Sequence, residues 1–364
     1  MFVNELQEAL PPPNRRRGVL AWVRQNLFPS WWNGLLTLVL AYLLLPAVWS
    51  VLDWAFFSAS WQGSSRADCA PGGACWIFIE SRLGQYFYGF YPQDQYWRIN
   101  LAFGTLALLL TLLIWPRTPY KGWLALFTLL LFPVIAFVLI YGGAGLVVVD
   151  TNSWGGLMLT LVLAVVGITF ALPLGILLAL GRRSQMPVIA SLATVYIEFW
   201  RAVPLITVLF MASVMLPLFM ASEVELDKLL RALIGIILFQ AAYVAEVVRG
   251  GLQAIPKGQY EAGEALGLSY WKLMGLIIMP QALKITIPSL VNTFISLFKD
   301  TSLVLIIGLF DLLAISKVAL ADPQWLGFST EAYVFIAMIF WFFCFGMSRY
   351  SIYLEHKFNT GHKH

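Results

Sequence analysis

The chain has 364 residues, 60% of them hydrophobic and only 12% charged. So few charges cannot cover the surface of a soluble protein, and a net charge of +4 without a basic run interleaved with aromatics excludes a nucleic-acid footprint. The apolar residues fall in runs of about 20, long enough to cross a hydrocarbon core of about 30 Å, so the sequence predicts an all-α polytopic membrane protein.

In chain order, residues 1–30 read as a cytosolic tail and interfacial segment, with Pro11, Pro12, Pro13 and Arg15, Arg16, Arg17 ahead of Trp22, Trp31 and Trp32. No apolar h-region precedes a cleavage site there, so an uncleaved first span leads insertion. That span is Gly34–Val51, kinked at Pro46. A polar, aromatic outer loop follows at 53–98, where an oxidising compartment would allow Cys69 and Cys75 either to pair or to remain free thiols. Further spans are predicted at Ile99–Trp115, Gly122–Tyr141, Leu157–Leu180, Pro187–Phe219 (bent at Pro204 and Pro217), Ala232–Val248, Met274–Phe298 and Tyr333–Tyr353, with Leu303–Leu313 too short to cross alone. This gives about 8 transmembrane helices. The short basic loops at 15–24, 117–121, 182–183, 249–272 and 349–364 all fall on one side, which places both termini in the cytoplasm. Composition changes near residue 150 and divides the chain into a three-span N-terminal extension, 31–150, and a five-span core, 151–355, before the tail 356–364.

The sequence carries no GxxxxGK[ST] phosphate loop and no HExxH or Ser/His/Asp arrangement. No metal site is expected, because the three histidines, His356, His362 and His364, all sit in the terminal tail. The chain is not expected to be an enzyme. Ionisable residues inside spans are costly and face a cavity or a partner. Glu198 and Arg201, at i and i+3, could pair to fix packing or line a path; Glu246 could pair with Arg249; Gln240 suits a polar cavity. Lys299, Asp300, Thr301 and Ser302 interrupt an apolar run. They could contact an amino acid's carboxylate and ammonium, or form a buried network at a helix break.

One polar stretch stands between two spans: Tyr260–Pro280, YEAGEALGLSYWKLMGLIIMP. Helical spacing puts Ala262, Ala265, Leu266 and Ser269 on one small, weakly apolar face. Pro256 is a start signal and Gly267 a stop, giving a helix over about 256–269. Glu261 and Glu264 are expected in its first turns, and Gly263 and Gly267 should let another surface approach. Such a helix is too polar and too short to span, and its face is too weak to lie on a bilayer.

The residues Glu261, Ala262, Gly263, Glu264, Ala265, Gly267, Ile277, Met279 and Pro280 resemble the EAA motif of ABC importer permeases, with Gly263 where that family usually has Ala and Met279 where it has Leu. AAYVAEVVRGG at Ala241–Gly251, PQALKITIPSLVN at Pro280–Asn292, KDTSLV at Lys299–Val304 and YIEFWRAVPL at Tyr196–Leu205 resemble the polar or general amino acid branch, the HisMQ-like permeases. The resemblance covers about residues 150–355. It implies a type I importer core of five helices whose 256–269 segment is a coupling helix. It also implies that Glu261, Ala262, Gly263, Glu264, Ala265, Gly267 and Pro280 serve ATPase coupling. The implied function is a permease subunit of an ATP-driven amino acid importer in a bacterial inner membrane, surrounded by membrane lipid. The implied partners are a cytosolic ABC ATPase dimer carrying ATP and Mg, a second permease (identical or homologous) and a periplasmic amino acid-binding protein. Two other classes remain: an ion-gradient-driven secondary transporter, and a membrane enzyme, for which no nucleophile or metal cluster is visible.

Overall fold

The computed structural model describes residues 18–115, 117–219 and 226–358. The tail before residue 18, part of the outer loop at 221–231, and His362 and His364 lie outside the described residues. The chain divides into two units, Met1–Ile77 and Phe78–His364. The division falls within the loop at 53–98, so the second and third spans of the extension group with the core.

The first unit holds α1 (Val19–Asn26) and α2 (Trp31–Leu52), whose N-terminus is capped by the Ser30 hydroxyl accepting the Asn33 N–H. α2 runs through Pro46 and continues as a π turn, Asp53–Phe57. None of its residues is buried within the chain. Cys69 and Cys75 form a disulfide, and in the same loop Trp54 and Trp61 each pack against the Trp76 ring. The Trp76 indole donates to the Ala55 carbonyl at 2.8 Å. Backbone N–H groups of Ser64 and Ser65 hold the Asp68 carboxyl below its ordinary range.

α3 (Trp76–Ser81) leads into the second unit. There follow α4 (Leu83–Tyr88), α5 (Tyr96–Ile114), α6 (Lys121–Leu126), α7 (Phe132–Tyr141), α8 (Gly156–Arg182), α9 (Pro187–Ala202) and α10 (Leu205–Phe210). Then come α11 (Leu216–Leu218), α12 (Lys228–Ala254), α13 (Lys257–Ala265), α14 (Tyr270–Leu273), α15 (Met279–Asp300), α16 (Leu312–Leu320) and α17 (Ser329–Phe358). Among the described residues 7 helices are long and apolar enough to cross a membrane, or 8 when the bent pair α9 and α10–α11 is one span.

Proline shapes three of these spans. Short π segments at Phe127–Leu131, Met211–Met215 and Met274–Ile278 lead directly into Phe132-Pro133, Leu216-Pro217 and Met279-Pro280. The wider turn gives the proline ring, which lacks an N–H, room against the carbonyl behind it. Pro204 acts differently: α9 and α10 meet there at 100°. The seventh span is longer than the sequence suggests. It runs from Tyr270 to Ile307, because the chain passes from α15 into a 3₁₀ segment, Thr301–Ile307, instead of breaking into a separate apolar piece.

α12 is the central helix of the second unit. Its small residues Ala232, Gly235, Ala241, Ala242, Ala245 and Gly251 are buried against neighbours, a device that lets helices approach closely without a hydrophobic drive from water. At Gly175 of α8 a methyl group would lie 2.6 Å from the Val244 Cβ and 2.9 Å from the Ala241 carbonyl oxygen. At Gly251 it would lie 2.8 Å from the Ala282 carbonyl oxygen of α15. One end of the bundle gathers Thr151, whose hydroxyl bonds Asp227, and an extended Phe310–Asp311 that pairs with Gly155 and Gly156. The other end gathers Arg183, the last turn of α12 and α13.

Candidate coupling helix and charge network

α13 begins at Lys257, directly after Pro256, whose fixed φ suits a helix entry. It ends in a Schellman turn: the Gly267 N–H donates to the Glu264 carbonyl and the Leu268 N–H to the Gly263 carbonyl, with Gly267 at φ +72°. Gly267 therefore serves the turn. Two sequence expectations are corrected here. Glu261 and Glu264 lie in the middle and last turns of α13, since the helix starts four residues before Glu261, so the positive end of its dipole does not hold them. Gly263 is not an open approach surface. It is buried, and a methyl group there would meet Leu273 Cδ1 of the same chain at 2.3 Å. Alanine there, as the motif usually has, would require the Leu273 side chain to shift.

Two faces of α13 result. Tyr260 and Gly263 turn inward, Tyr260 packing on the cluster of Leu252, Leu273 and Ile278. Glu261, Ala262, Glu264, Ala265 and Leu266 turn outward, Leu266 being 77% exposed. Pro280 lies on α15, beyond the π turn, and is exposed.

Beside α13 the structure assembles charges from three helices. Arg182, the last residue of α8, reaches Glu198 of α9 at 2.9 Å and Glu246 of α12 at 3.2 Å. Glu246 also meets Arg201 of α9 at 3.7 Å and pairs with Arg249. The expected Glu198–Arg201 pair does not form. α9 crosses α8 at Gly181, where Ile189 and Ala193 touch it, and this crossing hands each of the two residues a partner on another helix. Three arginines and two glutamates leave one positive charge over, and the side chains remain between about one-fifth and one-half exposed.

The other candidates stand apart. Gln240 is buried and donates to the Thr293 carbonyl of α15 at 3.0 Å, tying two helices. Thr301 is fully buried, its hydroxyl donating to the Phe298 carbonyl, and the Ser302 hydroxyl donates to the Lys299 carbonyl. Both hydroxyls close the end of α15 on itself. Lys299 is exposed beside a half-buried Asp300. Sequence reasoning missed Arg182 as the hub of the network. A basic pair at a helix end reads first as a topology marker, and only the crossing of α9 reveals its second use.

The sequence model of the family described as binding-protein-dependent transport system inner membrane component matches residues 171–359. The chain belongs to that family. It is an ABC importer permease of the amino acid branch. It is 58% identical over 352 residues to the inner membrane amino-acid ABC transporter permease protein YhdY of Escherichia coli K12, covering 96% of each chain. It is 40% identical to the glutamate/glutamine/aspartate/asparagine transport system permease protein BztC of Rhodobacter capsulatus, covering 99% of this chain and 98% of that one. A crystal structure of an amino acid ABC transporter with histidines aligns with a TM-score of 0.50 and 30% identity. It covers 92% of that chain but only 56% of this permease. The extension is thus common to the two long relatives, whereas a shorter permease accounts for little more than the core.

Proposed function

We propose that this permease forms half of the translocation pathway of an ATP-driven amino acid importer and takes its energy from a separate ATPase that docks on α13. The observation that carries the reading is α13 itself. It is anchored to the bundle on one face and presents Ala262, Ala265 and Leu266 outward on the other, in a chain without a nucleotide-binding loop. Glu261 and Glu264 flank that small face and offer carboxylates to basic groups of a partner groove. ATP and Mg belong to the partner. A periplasmic binding protein delivers an α-amino acid, as the names of the relatives suggest, and a second permease, identical or homologous, completes the pathway. Both termini face the cytoplasm, with α13 and the basic loops.

Among the pathway candidates, Glu198, Arg201 and Glu246 form one part-exposed charge cluster, while Gln240 ties α12 to α15 and the Thr301 and Ser302 hydroxyls bond back onto the end of α15. Lys299 and Asp300 supply a second charged position near the end of α15. The test is uptake of a labelled amino acid into proteoliposomes holding the permease with its ATPase and binding protein. ATP on the ATPase side should be sufficient for accumulation, with no ion gradient imposed. Uptake driven by a proton or sodium gradient without any ATPase would replace this reading with a secondary transporter.

A further inference from the structure

Energy delivered at α13 has to reach helices that line a pathway, and the structure offers a physical route. Arg183, the residue after α8, donates from Nη1 to the Tyr260 hydroxyl of α13 at 2.9 Å and to the Leu252 carbonyl of α12 at 2.9 Å. The Tyr260 hydroxyl donates to the same carbonyl at 3.2 Å. The guanidinium also lies over the Tyr260 ring, 5.4 Å from its centroid. Leu252 is fully buried, and its carbonyl belongs to the last turn of α12, where helix carbonyls lack intrahelical partners. Three elements therefore meet at one oxygen atom.

The neighbouring residue completes the route. Arg182 joins Glu198 and Glu246, and through Glu246 joins Arg201 and Arg249. A displacement of α13 that pulls Tyr260 must move Arg183 or break its bonds. Arg182 is peptide-bonded to Arg183, so its grip on α9 and α12 is disturbed at the same time. α9 is the arm that ends at the 100° bend, and most of its residues are exposed.

We propose that Arg183 and Tyr260 form a latch that transmits movement of α13 to the Arg182–Glu198–Glu246 network, which makes both of them positioning residues for energy coupling. The inference rests on the reading of α13 as the ATPase-docking helix. Neither side chain lies on the outward face of α13, so the latch can be broken while the docking surface stays intact.

The test uses the full importer in proteoliposomes and reads the ATPase retained on purification, ATP hydrolysis and substrate uptake. Tyr260→Phe keeps the ring and its stacking but removes the hydroxyl; Arg183→Met removes the charge and the donor. Each should retain the ATPase and its basal hydrolysis while uptake per ATP falls by about fivefold or more, the lower range of a coupling between sites. The double variant should lose no more than the worse single variant, as expected for partners in one interaction. A merely structural role would lower yield and hydrolysis together and leave the ratio unchanged. Wild-type uptake per ATP in both single variants, or additive losses in the double variant, would overturn the latch. Failure of the wild-type permease to retain any ATPase would overturn the docking reading instead, and the latch with it.

Discussion

Asp311 sits at zero exposure and caps α16, accepting N–H groups of Leu313 and Ala314. Burial pushes its carboxyl up to about 6, against the pull of those hydrogen bonds and of Lys317. An acid whose pKa is raised by folding stabilises the fold below its ordinary value of about 4 and loses that contribution as pH climbs through 6. The melting temperature of the purified permease should fall between pH 4.5 and 7, and Asp311→Asn, an equally good cap, should flatten that slope. An unchanged slope in the variant would remove Asp311 as the cause. Gly267 is the second residue with a sharp requirement. Its φ of +72° suits glycine alone at no cost, so Gly267→Ala should weaken the α13 turn by about 1–2 kcal/mol. Hydrogen exchange of the 257–273 segment should speed up by roughly five- to thirty-fold. Gly267 was legible in the sequence as a stop. The burial of Gly263 was not, because its contact is with Leu273, ten positions on and across a turn.

At the scale of elements, apolar runs and prolines located nearly every span, since length and composition decide what crosses a bilayer. The expected bend at Pro204 is present, but the one expected at Pro217 is not. Pro133, Pro217 and Pro280 are absorbed by π turns within continuous spans, whereas Pro204 marks a 100° bend. The difference depends on what packs alongside, which spacing does not encode. The same holds for the charges. The i, i+3 rule paired Glu198 with Arg201, but helix crossing supplied Arg182 and Glu246 as partners. Close packing of α8 on α12 gives a direct prediction. Gly175→Val should destabilise the bundle by about 1–3 kcal/mol through forced repacking against Val244 and the Ala241 carbonyl. Gly250→Ala, inside α12 where nothing lies within 4 Å, should instead stabilise it by about 0.5–1 kcal/mol. Denaturant melts of the two variants in detergent check this, and equal stabilities would contradict the packing.

At the scale of the whole molecule, the second unit gathers different loops at its two ends. Thr151, Asp227 and Phe310 gather at one end; Arg183, Leu252 and Tyr260 gather at the other, where the positive-inside pattern had placed the basic loops. That Arg183 and the 249–272 segment share an end was readable from lysine and arginine positions alone. The grouping of α5 and α7 with the core was not, because a change in composition near residue 150 says nothing about which helices pack together. The central claim is that the outward face of α13 receives the ATPase, and the most direct measurement is co-purification from membranes. The wild-type permease should bring down its ATPase in stoichiometric amount. A variant carrying Glu261→Arg and Ala265→Trp, two exposed positions that leave the Schellman turn and Tyr260 untouched, should insert and melt normally yet lose it. Equal ATPase recovery with both proteins would contradict the account.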